Sequence, residues 1–198
     1  MESLEETIRK VYMILESLGY RPVIVGTYAL ILQGWLPQSY LDETKDVDVY
    51  VDEATVIFDH RVEDMLLSIG FSIGRSEAGG FYVDAVKPVE IVYPIYDIYV
   101  PRALLEHVVG VKGMRVLEGH AVFVAKALGS SIEHLADIIR LRGVTVNVNR
   151  LRSLLESIAS EVDPARYRVA VRRIEALLRR YRAASTLEHE GEVLQGEG

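Results

Sequence analysis

The chain contains no cysteine. Disulfides, thiolate metal sites and a cysteine nucleophile are therefore excluded. Histidine is scarce as well. His60, His107, His120, His134 and His189 form no H-x-x-x-H pair, so zinc lacks its usual ligand pattern. A bound metal is expected to be a hard cation on oxygen ligands. No apolar run reaches the ~18 residues of a membrane span. The opening "MESLEETIRK" is acidic and amphipathic, unlike a secretory signal, and a cytoplasmic protein is expected. A global basic excess is missing too, since the formal net charge is −7. Lysine is rare, five against seventeen arginines, and asparagine and glutamine are few, a composition that fits a thermophile.

What is present is enough for a sizeable core: 198 residues, 49% of them hydrophobic. That length suits one domain, or a domain with a helical extension. Leu4, Ile8, Val11, Leu15 and Leu18 recur at helical spacing before Gly19, which predicts a helix over 2–18. "RPVIVG" reads as a short strand, "TYALILQGW" as a buried helix, "LPQSYLDE" as a loop and "KDVDVYV" as a strand. Residues 53–70 read as one amphipathic helix. "FSIGR", "FYVDAV" and "VEIVYPI" predict a meander of short strands. "PRALLEHV" is a short helix opened by proline, and "GMRVL" a last strand. From residue 118 only helical patterns follow. The Asp163-Pro164 pair is a cap followed by proline at the first helical position. The expected organisation is an α+β core over 1–117, a helical region over 118–183 and a polar, disordered tail over 184–198.

Three features could carry chemistry. In "KDVDVYV", alternation places Asp46 and Asp48 on one face of a strand and Val47, Val49 and Val51 on the other. Two neighbouring carboxylates repel unless a cation offsets them, and Mg²⁺ takes one or two carboxylates together with substrate phosphates; a solvated sheet face is the ordinary alternative. In "IVGTYAL", a strand runs through Gly26 and Thr27 into a helix. Gly26 allows close backbone approach to an anion, and Thr27 can cap the helix and donate to phosphate. In "KPVEIVYPI", Glu90 stands between Val89 and Ile91 and needs a partner if buried. It can complete a three-carboxylate cluster, as can Asp84 or Asp97.

Taken together, "VGT", "DVDVYV" and "VEIV" resemble the motifs of the nucleotidyltransferase superfamily related to DNA polymerase β. The resemblance implies a nucleotidyltransferase-like mixed β-sheet flanked by helices, followed by a C-terminal helical region. It implies an enzyme that transfers NMP from an NTP to an acceptor (RNA, protein or small molecule). Asp46, Asp48 and Glu90 would bind Mg²⁺ or Mn²⁺, with Glu90 as general base, and Gly26 and Thr27 would cradle the phosphates. "TKDVDVYV" with "VLEGHAVFVAKALGSSIEHLADIIRL" is similar to the branch that holds toxins of abortive-infection and toxin–antitoxin systems. That likeness assigns Thr44, Lys126 and Asp137 to nucleotide binding and implies an antitoxin partner. Asp42 and "GSSIEH" stand where that branch often carries arginines. A non-catalytic nucleotide- or RNA-binding module on the same fold is the alternative reading. It draws on "RYRVAVRRIEALLRRYR", residues 166–182, whose arginines either meet phosphates or form the solvated face of an amphipathic helix.

Overall fold

In a computed structural model, residues 3–75, 80–94 and 100–194 are described. Ser3 accepts the Glu6 amide and caps α1 (Leu4–Ser17), whose Ile8, Val11, Tyr12 and Leu15 are buried. Gly19, at φ +91°, ends it. β1 (Val23–Ile24) leads directly into α2 (Gly26–Leu32). A 3₁₀ helix, Gln38–Glu43, occupies the stretch expected as a loop and delivers the chain to β2 (Val47–Tyr50). Residues 53–70 form two helices instead of the one expected: a 3₁₀ turn, Ala54–Phe58, and α3 (His60–Ser68). The break falls at Asp59, which is extended and accepts the Arg61 amide as the α3 cap.

β3 (Ile73–Arg75), β4 (Phe81–Val83) and β5 (Val89–Val92) form the expected meander. α4 (Arg102–Leu105) follows Pro101, which sits at its cap. β6 (Val108–Val111) is a strand that the sequence reading missed; it pairs antiparallel with β7 (Met114–Leu117). Their two-residue turn, Lys112 and Gly113, has positive φ at both positions, +51° and +81°, the mirror-image geometry that matches strand twist. The remaining helices are α5 (Gly119–Gly129), α6 (Leu135–Leu141), α7 (Val148–Ile158) and α8 (Pro164–Leu194). Asp163 accepts the amides of Ala165 and Arg166 and caps α8 as expected. The segment read as a polar tail begins within this helix.

The seven strands form one mixed sheet in the order β3-β4-β5-β2-β1-β7-β6. The β2/β5 and β1/β7 pairs are parallel and the others antiparallel. Val47, Val49 and Val51 are buried on one side of β2, as the alternation required. The other side is not uniformly open. Asp48 is partly exposed, but Tyr50 is fully buried, its hydroxyl donating to Asp52 Oδ1 at 3.3 Å. β5 repeats the pattern, with Glu90 partly exposed and Val92 buried. The accessible carboxylates therefore cluster at one end of the sheet face. α5 packs against both α2 and α8, so strands and C-terminal helices share one core. Among the described residues no helix is long and apolar enough to cross a membrane.

Candidate active site

The two central strands set the site. β2 and β5 run parallel with Asp48 directly opposite Glu90, so both side chains leave the same sheet face side by side. Asp46 immediately precedes β2, two residues before Asp48. Carboxylate oxygens of Asp46, Asp48 and Glu90 lie within 4.8 Å of one another, and each residue is partly buried. Asp84, one competitor for the third position, is exposed and stands outside this cluster. Asp97, the other, lies outside the described residues.

Burial and like charge together disfavour an ionised Asp48. Burial, then the charges of Asp46 and Glu90, push its carboxyl up to about 7, against a smaller opposing pull from Lys126. Such a site favours a proton or a cation over three bare charges.

Gly26 closes one side. Its φ is +68°, and a Cβ there would stand 2.6 Å from Asp48 Oδ2. Glycine is required both for the left-handed backbone and for this contact. Val25 N–H donates to the Asp48 carbonyl at 3.1 Å and fixes β1 against β2. Thr27 is not the helix cap, as the sequence reading had it. Val25 holds that position without a side-chain bond, and Thr27 lies in the first turn. Its hydroxyl accepts from Lys126 Nζ at 3.0 Å.

Lys126 reaches this point from α5. Burial lowers its pKa, partly offset by the charges of Asp48 and Asp46. Asp46, Asp48, Glu90, Gly26, Thr27 and Lys126 are thus brought together at one place on the sheet face.

Two expected residues are engaged elsewhere. Thr44 donates its hydroxyl to the Leu41 carbonyl at 2.8 Å and closes the 3₁₀ helix. Asp137 pairs with Arg180 of α8, with Nη2 to Oδ2 at 2.5 Å, and that bond holds its carboxyl below the usual range. Its carboxylate points to the α6–α8 contact.

Two further residues, Lys87 and Gln33, support the site. Lys87 Nζ donates to the carbonyls of Thr44 (2.5 Å) and Asp42 (3.2 Å), tying the approach to β2 to the start of β5. Gln33 donates to the Ala29 and Leu117 carbonyls, both at 2.8 Å, and accepts the Gly119 amide at 3.0 Å. It thereby joins α2 to the start of α5, the two elements that carry Thr27 and Lys126. Neither residue sits in a recognisable motif; a lysine before Pro88 and a glutamine at a helix end carry no local signal.

Residues 4–179 match the sequence pattern of the family described as "Nucleotidyl transferase of unknown function (DUF2204)". No curated protein matches the chain. Among solved structures, the antibiotic-resistance factor ANT(2″)-Ia is similar over 97% of this chain and 100% of its own, at 13% identity and a TM-score of 0.44. JHP933 from Helicobacter pylori is similar over 96% of both chains, at 14% identity and a TM-score of 0.43. A tRNA-processing enzyme is similar over 95% of this chain and 58% of its own, at 16% identity and a TM-score of 0.42.

Proposed function

Because the chain belongs to the DUF2204 family of nucleotidyl transferases, we propose that it transfers NMP from an NTP to a hydroxyl-bearing acceptor at Asp46, Asp48 and Glu90. The observation that carries this is the convergence of three carboxylates, from adjacent parallel strands, within 4.8 Å. An all-oxygen donor set of this charge fits Mg²⁺ or Mn²⁺. Bound there, such ions would offset the repulsion at Asp48 and orient the triphosphate.

The chain's own residues divide the remaining work. Glu90 takes the proton from the acceptor hydroxyl as its oxygen attacks the α-phosphorus; the bond to the bridging oxygen breaks and pyrophosphate leaves. Gly26 lets the backbone approach the phosphates, and Thr27 offers them a hydroxyl. Lys126 adds a point charge toward the β/γ-phosphates. Catalysis on this reading is positioning and charge neutralisation.

The likeness to the toxin–antitoxin branch draws on Thr44, Lys126 and Asp137. Of these Lys126 alone faces the carboxylates, so the general nucleotidyl-transfer reading is favoured over a toxin with an antitoxin partner. The test is incubation with each α-labelled NTP, Mg²⁺ or Mn²⁺, and RNA, protein or small-molecule extracts. Stable label on one acceptor class is expected. Label transfer that survives Asp46→Ala/Asp48→Ala would overturn the proposal.

A further inference from the structure

Beyond the carboxylate site, the surface departs most from an ordinary acidic protein at α8. The chain carries a net charge of −7, yet residues 166–182 hold seven arginines against one glutamate. Arg173 and Arg180 hold α8 to the rest of the fold. Arg173 donates to the Ala127 carbonyl at 2.8 Å, and Arg180 pairs with Asp137. The buried side of α8 is Ala170, Ile174, Leu177 and Leu178.

At ~100° per residue, Arg168, Arg172, Arg179 and Arg182 fall within an arc of about 80° on the opposite side. All four are exposed, and Glu175 lies among them. Arg152 of α7 extends this face. With Glu175, Leu178, Arg179 and Arg182 it lines a shallow groove of about 140 Å³, too small for a nucleotide by the usual ~300 Å³ of a ligand pocket. The result is a stripe of five guanidiniums and one carboxylate along about 21 Å of helix.

A stripe of that length suits a repeating anion. One strand of a nucleic-acid duplex advances ~3.4 Å per phosphate, so about six phosphates span it. Arginine, and not lysine, is the residue used throughout, and its fork makes paired bonds to phosphate oxygens. With the remainder of the chain acidic on balance, a polyanion is drawn to this face. RNA brings regularly spaced phosphates and free hydroxyls in one molecule.

We propose that the outer face of α8, extended by Arg152, docks the phosphate backbone of an RNA; the further step, that this RNA is the acceptor, rests on the nucleotidyl-transfer reading above. α5 separates the two sites. It meets α8 through Ala127 and the carboxylate site through Lys126. The docked backbone and the reacting end are then about two helix diameters apart, ~20 Å, so long RNAs are favoured over di- and trinucleotides.

The test is fluorescence anisotropy of the full chain with a labelled single-stranded RNA of about 20 nucleotides, titrated over roughly 50–200 mM salt. Five phosphate contacts predict a slope of log K against log salt of about −3.5, at ~0.7 per contact. Arg168→Gln/Arg172→Gln/Arg179→Gln is expected to bring it to about −1.4, with melting temperature unchanged because all three are exposed. Asp46→Asn/Asp48→Asn is expected to keep full RNA affinity. No binding at low salt, an unchanged slope in the triple variant, or displacement of RNA by poly-glutamate at equal charge would overturn the docking surface. RNA binding with the expected slope but no label transfer to the RNA supports the surface and removes the acceptor role.

Discussion

Gly26 and Asp48 are in direct contact: a single carbon added to Gly26 would stand 2.6 Å from Asp48 Oδ2. The carboxylate rests on the glycine backbone, so the phosphate-side turn and the proposed metal ligand are one construction. Gly26→Ala must also hold a side chain at φ +68°, a strain of about 1–2 kcal/mol. The expected outcome is a folded protein whose melting temperature drops by a few degrees, at about 2–4 °C per kcal/mol, and whose transfer rate falls by more than tenfold. Parallel thermal melts and turnover assays check this; wild-type turnover would show that Asp48 does not need its place.

Asp48 also makes stability depend on pH when divalent ions are absent. Its folded-state carboxyl titrates near 7, against an ordinary 3.8. Between those values the folded state holds a proton that the unfolded state has released, so stability falls as pH rises from about 4 to 7 and is level above. The loss is on the order of 2–4 kcal/mol. In EDTA, the wild-type melting temperature is expected to drop across that window while Asp48→Asn drops much less. Mg²⁺ is expected to restore the wild type at neutral pH. A wild type and variant with parallel pH profiles would contradict the repulsion argument.

Lys126 links α5 to the site through Thr27. Lys126→Met removes a positive charge that acts on Asp48 and the donor to that hydroxyl. An increase in KM for NTP of about 10–100-fold is expected, equivalent to about 1.4–2.7 kcal/mol. Kinetics against NTP concentration check it. An unchanged KM would move the triphosphate away from α5.

Gly119 tests the seam between the strands and the C-terminal helices. A Cβ there would lie 2.5 Å from the Trp35 ring, which is itself held at 4.9 Å from His120 and 5.5 Å from Phe123. Gly119→Ala is expected to destabilise the fold by about 1–3 kcal/mol, measured by urea denaturation. Destabilisation below a few tenths would mean that the indole moves freely.

Local pattern carried much of this structure. The alternation in "VDVYV" placed Asp48 opposite the buried valines, and the spacing of Ile8, Val11 and Leu15 placed α1. β6 was hidden because its turn uses Lys112 at positive φ, where asparagine or aspartate would have signalled a hairpin. The break at Asp59 was hidden because the apolar spacing continues through it. The register of Asp48 against Glu90 is a long-range fact of strand pairing, as are the contacts of Lys126 with Thr27 and of Asp137 with Arg180. Short spacing cannot separate those last two: both are charged residues on helices, and tertiary packing alone sends one to the carboxylates and the other to α8.

The most direct measurement is Mn²⁺ binding, followed by electron paramagnetic resonance, in the wild type and in Asp46→Asn, Asp48→Asn and Glu90→Gln. If the three carboxylates form the metal centre, each substitution weakens Mn²⁺ binding in the presence of NTP by at least about tenfold, or about 1.4 kcal/mol. Mn²⁺ affinity that is the same in all four proteins would contradict the metal centre.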